Sequence, residues 1–420
     1  MAASDTHSAI DAVWRIESPR LIAGLTRMVR DVGVAEELAQ DALVAALEQW
    51  PESGVPNNPG AWLMATAKHR AIDQFRRNRM VDRKHADIGR DLDARQRTAM
   101  ADIDEALDDS MGDDLLRLIF ISCHPILPTE GRTALTLRLL AGLSTTEIAR
   151  AFLVPEPTIA QRIVRAKRTL SAARVPFEVP RGEDRAARLA SVLEVIYLVF
   201  NEGYSATAGE NWMRPALCEE ALRLGRVLAE LTPAEAEVHG LVALMEIQAS
   251  RVRARINHSG EPILLLDQNR ALWDQLLIRR GLAALERARQ AASTPGPYTL
   301  QAAIAACHAR ARAAEETDWP RIAALYDELA RLKPSPVVEL NRAVAHGMAF
   351  GPAAGLELVD KLLSEPALEN YHLLPGVRGD LLAKLNRFAE ARAEFERAAS
   401  LTRNERERIL LLERARICAQ

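Results

Sequence analysis

The chain has 420 residues, 48% apolar, 5% aromatic and 26% charged, with a net charge of −3. That length supports two or three cores, and the near-neutral balance excludes a global field driving the chain onto nucleic acid or membrane, so any such surface must come from local charge segregation. The four cysteines, Cys123, Cys218, Cys307 and Cys418, form no CxxC pair, which argues against a zinc site or a disulfide framework.

Residues from Ala9 to Arg79 read as several helices. "AEELAQDALVAALEQW" places Leu38, Ala42, Ala45 and Ala46 on one face and Glu36, Glu37, Gln40, Asp41 and Glu48 elsewhere, an amphipathic pattern. "PESGVPNNPG" breaks it. "AWLMATAKHRAIDQFRRNR" follows, from Ala61 to Arg79, and mixes Trp62, His69 and Phe75 with Lys68, Arg70, Arg76, Arg77 and Arg79. Trp62 and Leu63 are expected to anchor this helix to a core, and Lys68 through Arg79 to face outward. From residue 81 to about 112 the apolar period decays and acids accumulate, as expected of a solvated linker.

Periodicity resumes at Leu115, with four helical segments. Pro128, Thr129 and Glu130 open one, Gly142 ends it, "LSTTE" caps the next, and Pro155 to Pro157 separate the last two. "STTEIARAFLVPEPTIAQRIVRAKRTL" reads as a helix-turn-helix. Ile148, Ala149 and Phe152 face inward from the first helix, and Ile159, Ile163 and Val164 pack back from the second. Thr158, Gln161, Arg162 and Arg165 are exposed near its start, in the positions that reach base edges in a major groove, while Lys167 and Arg168 would meet phosphate. Aromatic side chains among cations suit separated strands, because an exposed base can stack on them for about 1 to 3 kcal/mol.

Beyond Arg185 nearly everything reads as helix, with breaks that recur at roughly 35 to 40 residues, the period range of helical solenoids. In "GDLLAKLNRFAEARAEFERAASL", Gly379, Leu382, Ala391, Phe395 and Ala398 occupy tetratricopeptide-like packing offsets; Tyr326 and Pro334 sit at matching offsets in an earlier unit. "NEGYSATAGENW" clusters Glu202, Tyr204, Ser205 and Glu210, and "LLDQNRALWDQ" carries Asp267, Gln268, Asn269, Arg270 and Trp273. The first is expected to be a polar loop packed between helices, the second a brace between repeats or the wall of a ligand pocket. No GxSxG, HExxH or paired-metal spacing specifies catalysis; no enzymatic activity, metal or cofactor is expected.

The stretches "AEELAQDALVAALEQW…PGAWLMATAKHRAIDQFRR" and "LPTEGRTALTLRLLAGLSTTEIARAFLVPEPTIAQRIVRAKRTL" resemble regions 2 and 4 of extracytoplasmic-function (ECF) sigma factors, in order and spacing. "FNEGYSAT" and "LLDQNRALWD" are similar to the subgroup with a tetratricopeptide-like C-terminal extension. The resemblance implies an all-α chain: a region 2 domain over 9–80, an acidic, flexible linker over 81–112, a region 4 helix-turn-helix over 113–175 and a TPR-like solenoid over 185–420. It implies promoter contacts near −10 through Lys68, His69, Arg70, Asp73, Gln74, Arg76, Arg77 and Arg79, and near −35 through Thr158, Gln161, Arg162, Arg165, Lys167 and Arg168. Glu37, Gln40, Asp41 and Glu48 would dock on the β′ clamp helices of core RNA polymerase, region 4 would also touch the β flap, and the solenoid would take a protein or peptide ligand. A cytoplasmic protein with no membrane association is expected. The rival expectation is a helix-turn-helix regulator with a TPR-like sensor or scaffold domain.

Overall fold

The computed structural model describes residues 3–83, 111–206, 212–257 and 261–419; of 73–83 the backbone alone is described, and the expected linker falls almost wholly outside the described residues. The described chain is helical and divides into two compact units, Met1–Val195 and Ile196–Gln420. No described helix is long and apolar enough to cross a membrane.

The first unit opens with α1 (Ala3–Val29), α2 (Val32–Ser53) and α3 (Pro59–Arg83) packed on one another. Local chemistry sets their limits. Asp31 N-caps α2 by accepting from the backbone N–H of Gly33 at 2.8 Å and Val34 at 3.0 Å. Gly54, at φ 80°, ends α2. Asn58 then accepts from the N–H of Ala61 at 3.1 Å, with Pro59 as the first helical residue of α3. The stripe of Leu38, Ala42, Ala45 and Ala46 is buried as its spacing predicts.

The same unit continues with α4 (Met111–Ser122), α5 (Thr129–Leu139), α6 (Thr145–Phe152) and α7 (Glu156–Ala172). A full capping box starts α6: Ser144 Oγ accepts from the Glu147 N–H at 3.1 Å, and the Glu147 carboxylate accepts from the Ser144 N–H at 2.8 Å. Leu153 stops it in the left-handed region at φ 51°. Ile159, Ile163, Ala166 and Leu170 form the buried stripe of α7. Val164 departs from expectation, being 46% exposed. Adjacent helical residues point about 100° apart, so Ile163 and Val164 cannot both face one narrow core. Cys123 is buried at the end of α4 beside Thr136 Oγ1 at 3.2 Å, and burial pushes its thiol up to about 11. It is an inert core thiol.

α8 (Gly182–Tyr204) runs across the division between the units. The second unit then holds α9 (Pro215–Leu231), α10 (Ala236–Ala249), α11 (Gln275–Ala291), α12 (Pro297–Arg310), α13 (Trp319–Leu332), α14 (Pro336–Phe350), α15 (Pro352–Lys361), α16 (Leu373–Lys384), α17 (Phe388–Leu401) and α18 (Glu405–Ile417). From α12 onward each helix packs on its successor. α10 also lies close to α12, because a Cβ at Gly240 would meet Thr299 Oγ1 at 2.5 Å and its backbone N at 2.7 Å. Glu237 reaches from α10 to cap α12, accepting from Tyr298 N–H at 2.7 Å and Thr299 N–H at 3.1 Å. Between α16 and α17, a Cβ at Gly379 would stand 2.9 Å from Phe395 Cε1, and Leu382, Ala391, Phe395 and Ala398 are all buried.

The run of helix is interrupted over a longer stretch than the break at "NHSGEP" predicts. From Ser250 to Asp274 the described chain forms three short 3₁₀ turns and one antiparallel bridge, Ile256 with Pro262. Trp273, 3% exposed, packs there with Ala254 and Ile278. Asp274 restarts the helical pattern by capping α11 through Leu276 N–H at 2.8 Å.

His308, on α12, is buried edge-on to Trp319 at 5.2 Å between centroids. Burial, with the Arg251 and Arg270 guanidiniums nearby, pushes its imidazole down to about 4. The native chain therefore refuses a proton that the unfolded chain takes up below about pH 6.5. Stability should fall by about 3 kcal/mol as pH drops from about 6.5 to about 4. Urea titrations across that range check it; His308→Gln should flatten this part of the acid limb.

Candidate nucleic-acid interface

Burying Leu63, Ala67 and Ala71, at four-residue spacing, fixes the rotation of α3. Trp62 is half-buried and meets Trp50 edge-to-face at 5.2 Å, so it anchors the helix as expected. His69 lies exposed on the opposite side, with Lys68 and Arg70 half-buried beside it. Arg70 Nη1 is 3.4 Å from Asp41 Oδ2, a link between α3 and α2. The side chains of Asp73, Gln74, Arg76, Arg77 and Arg79 lie outside the described residues.

On α2 the outward face presents Glu37, Asp41 and Glu48 around Val44, which is 48% exposed. Their spacing of four, three and four residues makes one acidic stripe with an apolar centre. Gln40 is half-buried and donates to Glu36 Oε1 at 2.5 Å.

Glu36 itself departs from the sequence reading, which set it off the buried face. It is 2% exposed. Its carboxylate accepts from Arg138 Nε at 2.6 Å and pairs with Lys167. Those partners come from α5 and α7, so one carboxylate of α2 ties to the second helix of the helix-turn-helix and to the helix that precedes the motif. A second link joins Arg15 Nη2 on α1 to Glu147 Oε1 at 2.8 Å. Burial alone would raise the Glu147 carboxyl, but the hydrogen bonds from Ser144 and Arg15 outweigh it and hold the group below the usual range. No local pattern signals the Glu36 cluster, because its cations stand more than a hundred residues downstream.

The outward face of α7 carries Gln161, Arg165 and Arg168 exposed, with Thr158 and Arg162 half-buried at its edge. Pro157 sits in its first turn and no acid follows Glu156 along the helix. Such a face offers forked donors to base edges and cations to phosphates. Lys167 is turned from that face toward Glu36.

A helical bundle joined in one chain to a capped helix-turn-helix with a basic second helix fits a transcription initiation factor of the sigma class, and family matches show that class. Residues 14–80 match the Sigma-70 region 2 family and residues 117–170 the Sigma-70 region 4 family. Residues 188–289 match a family of unknown function, DUF6596. The chain is 46% identical over 396 residues to an uncharacterised protein of Rhizobium meliloti, covering 94% of this chain and 92% of that one. It is 25% identical over 188 residues to the probable ECF RNA polymerase sigma factor SigI of Mycobacterium tuberculosis, covering 44% of this chain and 62% of that protein. The chain belongs to the ECF sigma factors, in a group that carries a C-terminal helical extension.

Proposed function

We propose that α3 reads and opens the promoter element near −10 and that α7 reads the element near −35. Lys68, His69 and Arg70, continued by Asp73, Gln74, Arg76, Arg77 and Arg79, serve the first. Thr158, Gln161, Arg162, Arg165 and Arg168 serve the second. The acidic stripe of Glu37, Asp41 and Glu48, with Gln40 behind it, docks on the β′ clamp helices of core polymerase, and the helix-turn-helix region also touches the β flap. The C-terminal unit is a TPR-like surface that modulates activity or takes a protein or peptide ligand. The observation that carries this reading is the exposed Gln161–Arg165–Arg168 face on a helix whose other side is a closed apolar stripe.

Geometry adds a requirement. Elements near −10 and −35 lie about 25 base pairs apart, roughly 85 Å along the duplex at about 3.4 Å per step. A compact unit the size of Met1–Val195 has a radius of gyration of about 16 Å. It cannot reach both elements while folded on itself. The Glu36 cluster is then the contact exchanged when the two recognition surfaces part, which returns Lys167 to the DNA face for the phosphate contact its position suggests.

Transcription in vitro with core polymerase and this chain, on its own upstream region and a promoter panel, tests the assignment. Replacing Arg162 and Arg165 with alanine should weaken binding of the polymerase complex to its promoter by about 1 to 3 kcal/mol per lost base contact, roughly tenfold to a hundredfold each. An unchanged footprint over the −35 element would refute the role of α7. Duplex binding without polymerase, and no start site on any promoter, would favour the ordinary regulator instead.

A further inference from the structure

In the second unit two arginines are buried with no carboxylate partner. Arg251 is 9% exposed and Arg255 6%, and among the described residues neither has a carboxylate within ion-pair distance. Aromatic faces surround them instead. The Arg255 guanidinium lies 3.5 Å from the Tyr204 ring centre and 4.4 Å from that of Trp212. Arg251 stands 5.7 Å from both the Tyr204 and Trp273 rings. Arg270 follows at 5.0 Å from Trp273. Thus Tyr204 and Trp273, from two polar stretches separate in sequence, both stand beside Arg251.

The three guanidiniums are not equivalent. Arg270 is spent as a brace, donating to the carbonyls of His308 at 2.7 Å and Ala311 at 2.8 Å and to Thr317 Oγ1 at 2.9 Å. Arg255 donates to the Tyr204 carbonyl from inside its aromatic sandwich. Among the described residues the Arg251 side chain has no hydrogen-bond acceptor, and its Nε is sealed from solvent without a partner there. Trp273 Nε1, beside it, is likewise buried and unpartnered. A fold rarely buries a cation without a counter-charge. Two donors left idle at the focus of three positive charges describe a place prepared for an anion.

We propose that Arg251 is the anion-binding group of a ligand site in the C-terminal unit, taking one small carboxylate or phosphoryl oxyanion with Trp273 Nε1–H as the neighbouring donor. The slight exposure of Arg251 and Arg255 limits the inserted part to a single oxyanion head. Cation–π contact with Tyr204 and Trp273 holds the guanidinium in place while the site is empty.

Thermal unfolding of the full chain in sodium phosphate, sodium succinate or sodium chloride, at matched ionic strength, tests this. At least one of the two oxyanions should raise Tm saturably, by about 5 °C near saturation, above the chloride control. Phosphate alone acting points to phosphoryl ligands; succinate alone points to carboxylates. Arg251→Met should abolish the rise and leave the Tm in chloride unchanged or higher, because it removes an unpaired buried charge. Arg253→Met, on an exposed neighbour, should keep the rise. No rise with either anion, a rise that survives Arg251→Met, or a lower chloride Tm in that variant would overturn the proposal. Should Arg251→Met not fold, Arg251→Lys replaces it, with an expected loss of at least tenfold in apparent affinity; unchanged affinity overturns the proposal equally.

Discussion

Replacing Glu36 with alanine should destabilise the first unit by about 3 kcal/mol and lower its Tm by roughly 10 °C. The carboxylate is 2% exposed and compensates two cations at once, Arg138 and Lys167, whose side chains are 21% and 20% exposed. Removing one member of a buried ionic cluster costs more than removing all of it, since the remaining charges keep their desolvation penalty. That residual exposure lets the two cations rehydrate in part, which sets the figure at the low end of the range for buried pairs. The same change should free Lys167, so duplex affinity should rise and its salt dependence steepen by about one counterion. Calorimetry reads the first effect and a salt titration of DNA binding the second. A variant that melts with the parent would mean that Glu36 does not hold the helix-turn-helix region.

Truncating Phe395 to alanine should cost the second unit about 3 to 5 kcal/mol. Its ring is 1% exposed, fills the space opposite Gly379, and carries the Arg414 guanidinium 4.4 Å above its centre. On the Gly379 side the ring meets a position with no side chain that could move into the void. Phe395→Leu should cost far less, because most of the volume remains. Urea unfolding of both variants gives the comparison, and equal losses would show that packing volume is not what matters there.

Both effects bear on what could be read from sequence. Phe395 was legible because a helix pair states its packing locally: small residues at Gly379, Ala391 and Ala398 leave room for one large ring at a fixed offset. The helix-turn-helix was legible for the same reason. Ser144 and Glu147, and then Pro155 to Pro157, mark helix ends through chemistry that spans a few residues. Glu36 was not legible, since its burial depends on cations brought from two distant helices. The interval from Ser250 to Asp274 is irregular well beyond the break that "NHSGEP" predicts. Its conformation rests on Trp273 in a small core and on the Arg255 guanidinium stacked between the Tyr204 and Trp212 rings, and none of that leaves a period. Val164 shows the finer limit. Two adjacent apolar residues look alike in a list, and only the rotation of the whole stripe decides which faces inward. Among the proposed promoter contacts, sequence found the exposed face of α7 but could not tell that Lys167 would be drawn inward.

The pair between Asp41 and Arg70 has a consequence for how two binding events sense each other. On the proposed assignment the carboxylate belongs to the polymerase-docking stripe and the guanidinium to the DNA-facing helix. Whatever takes Asp41 leaves Arg70 without its counter-charge and so favours an incoming phosphate. Thermodynamic linkage makes the effect mutual: DNA that engages Arg70 must sharpen the appetite of the acidic stripe for its own partner by the same factor. With the two side chains 38% and 58% exposed, that factor is modest, about twofold to fivefold for a solvent-screened pair. A dialogue that weak does not switch anything alone, but it biases the chain toward holding polymerase and promoter together.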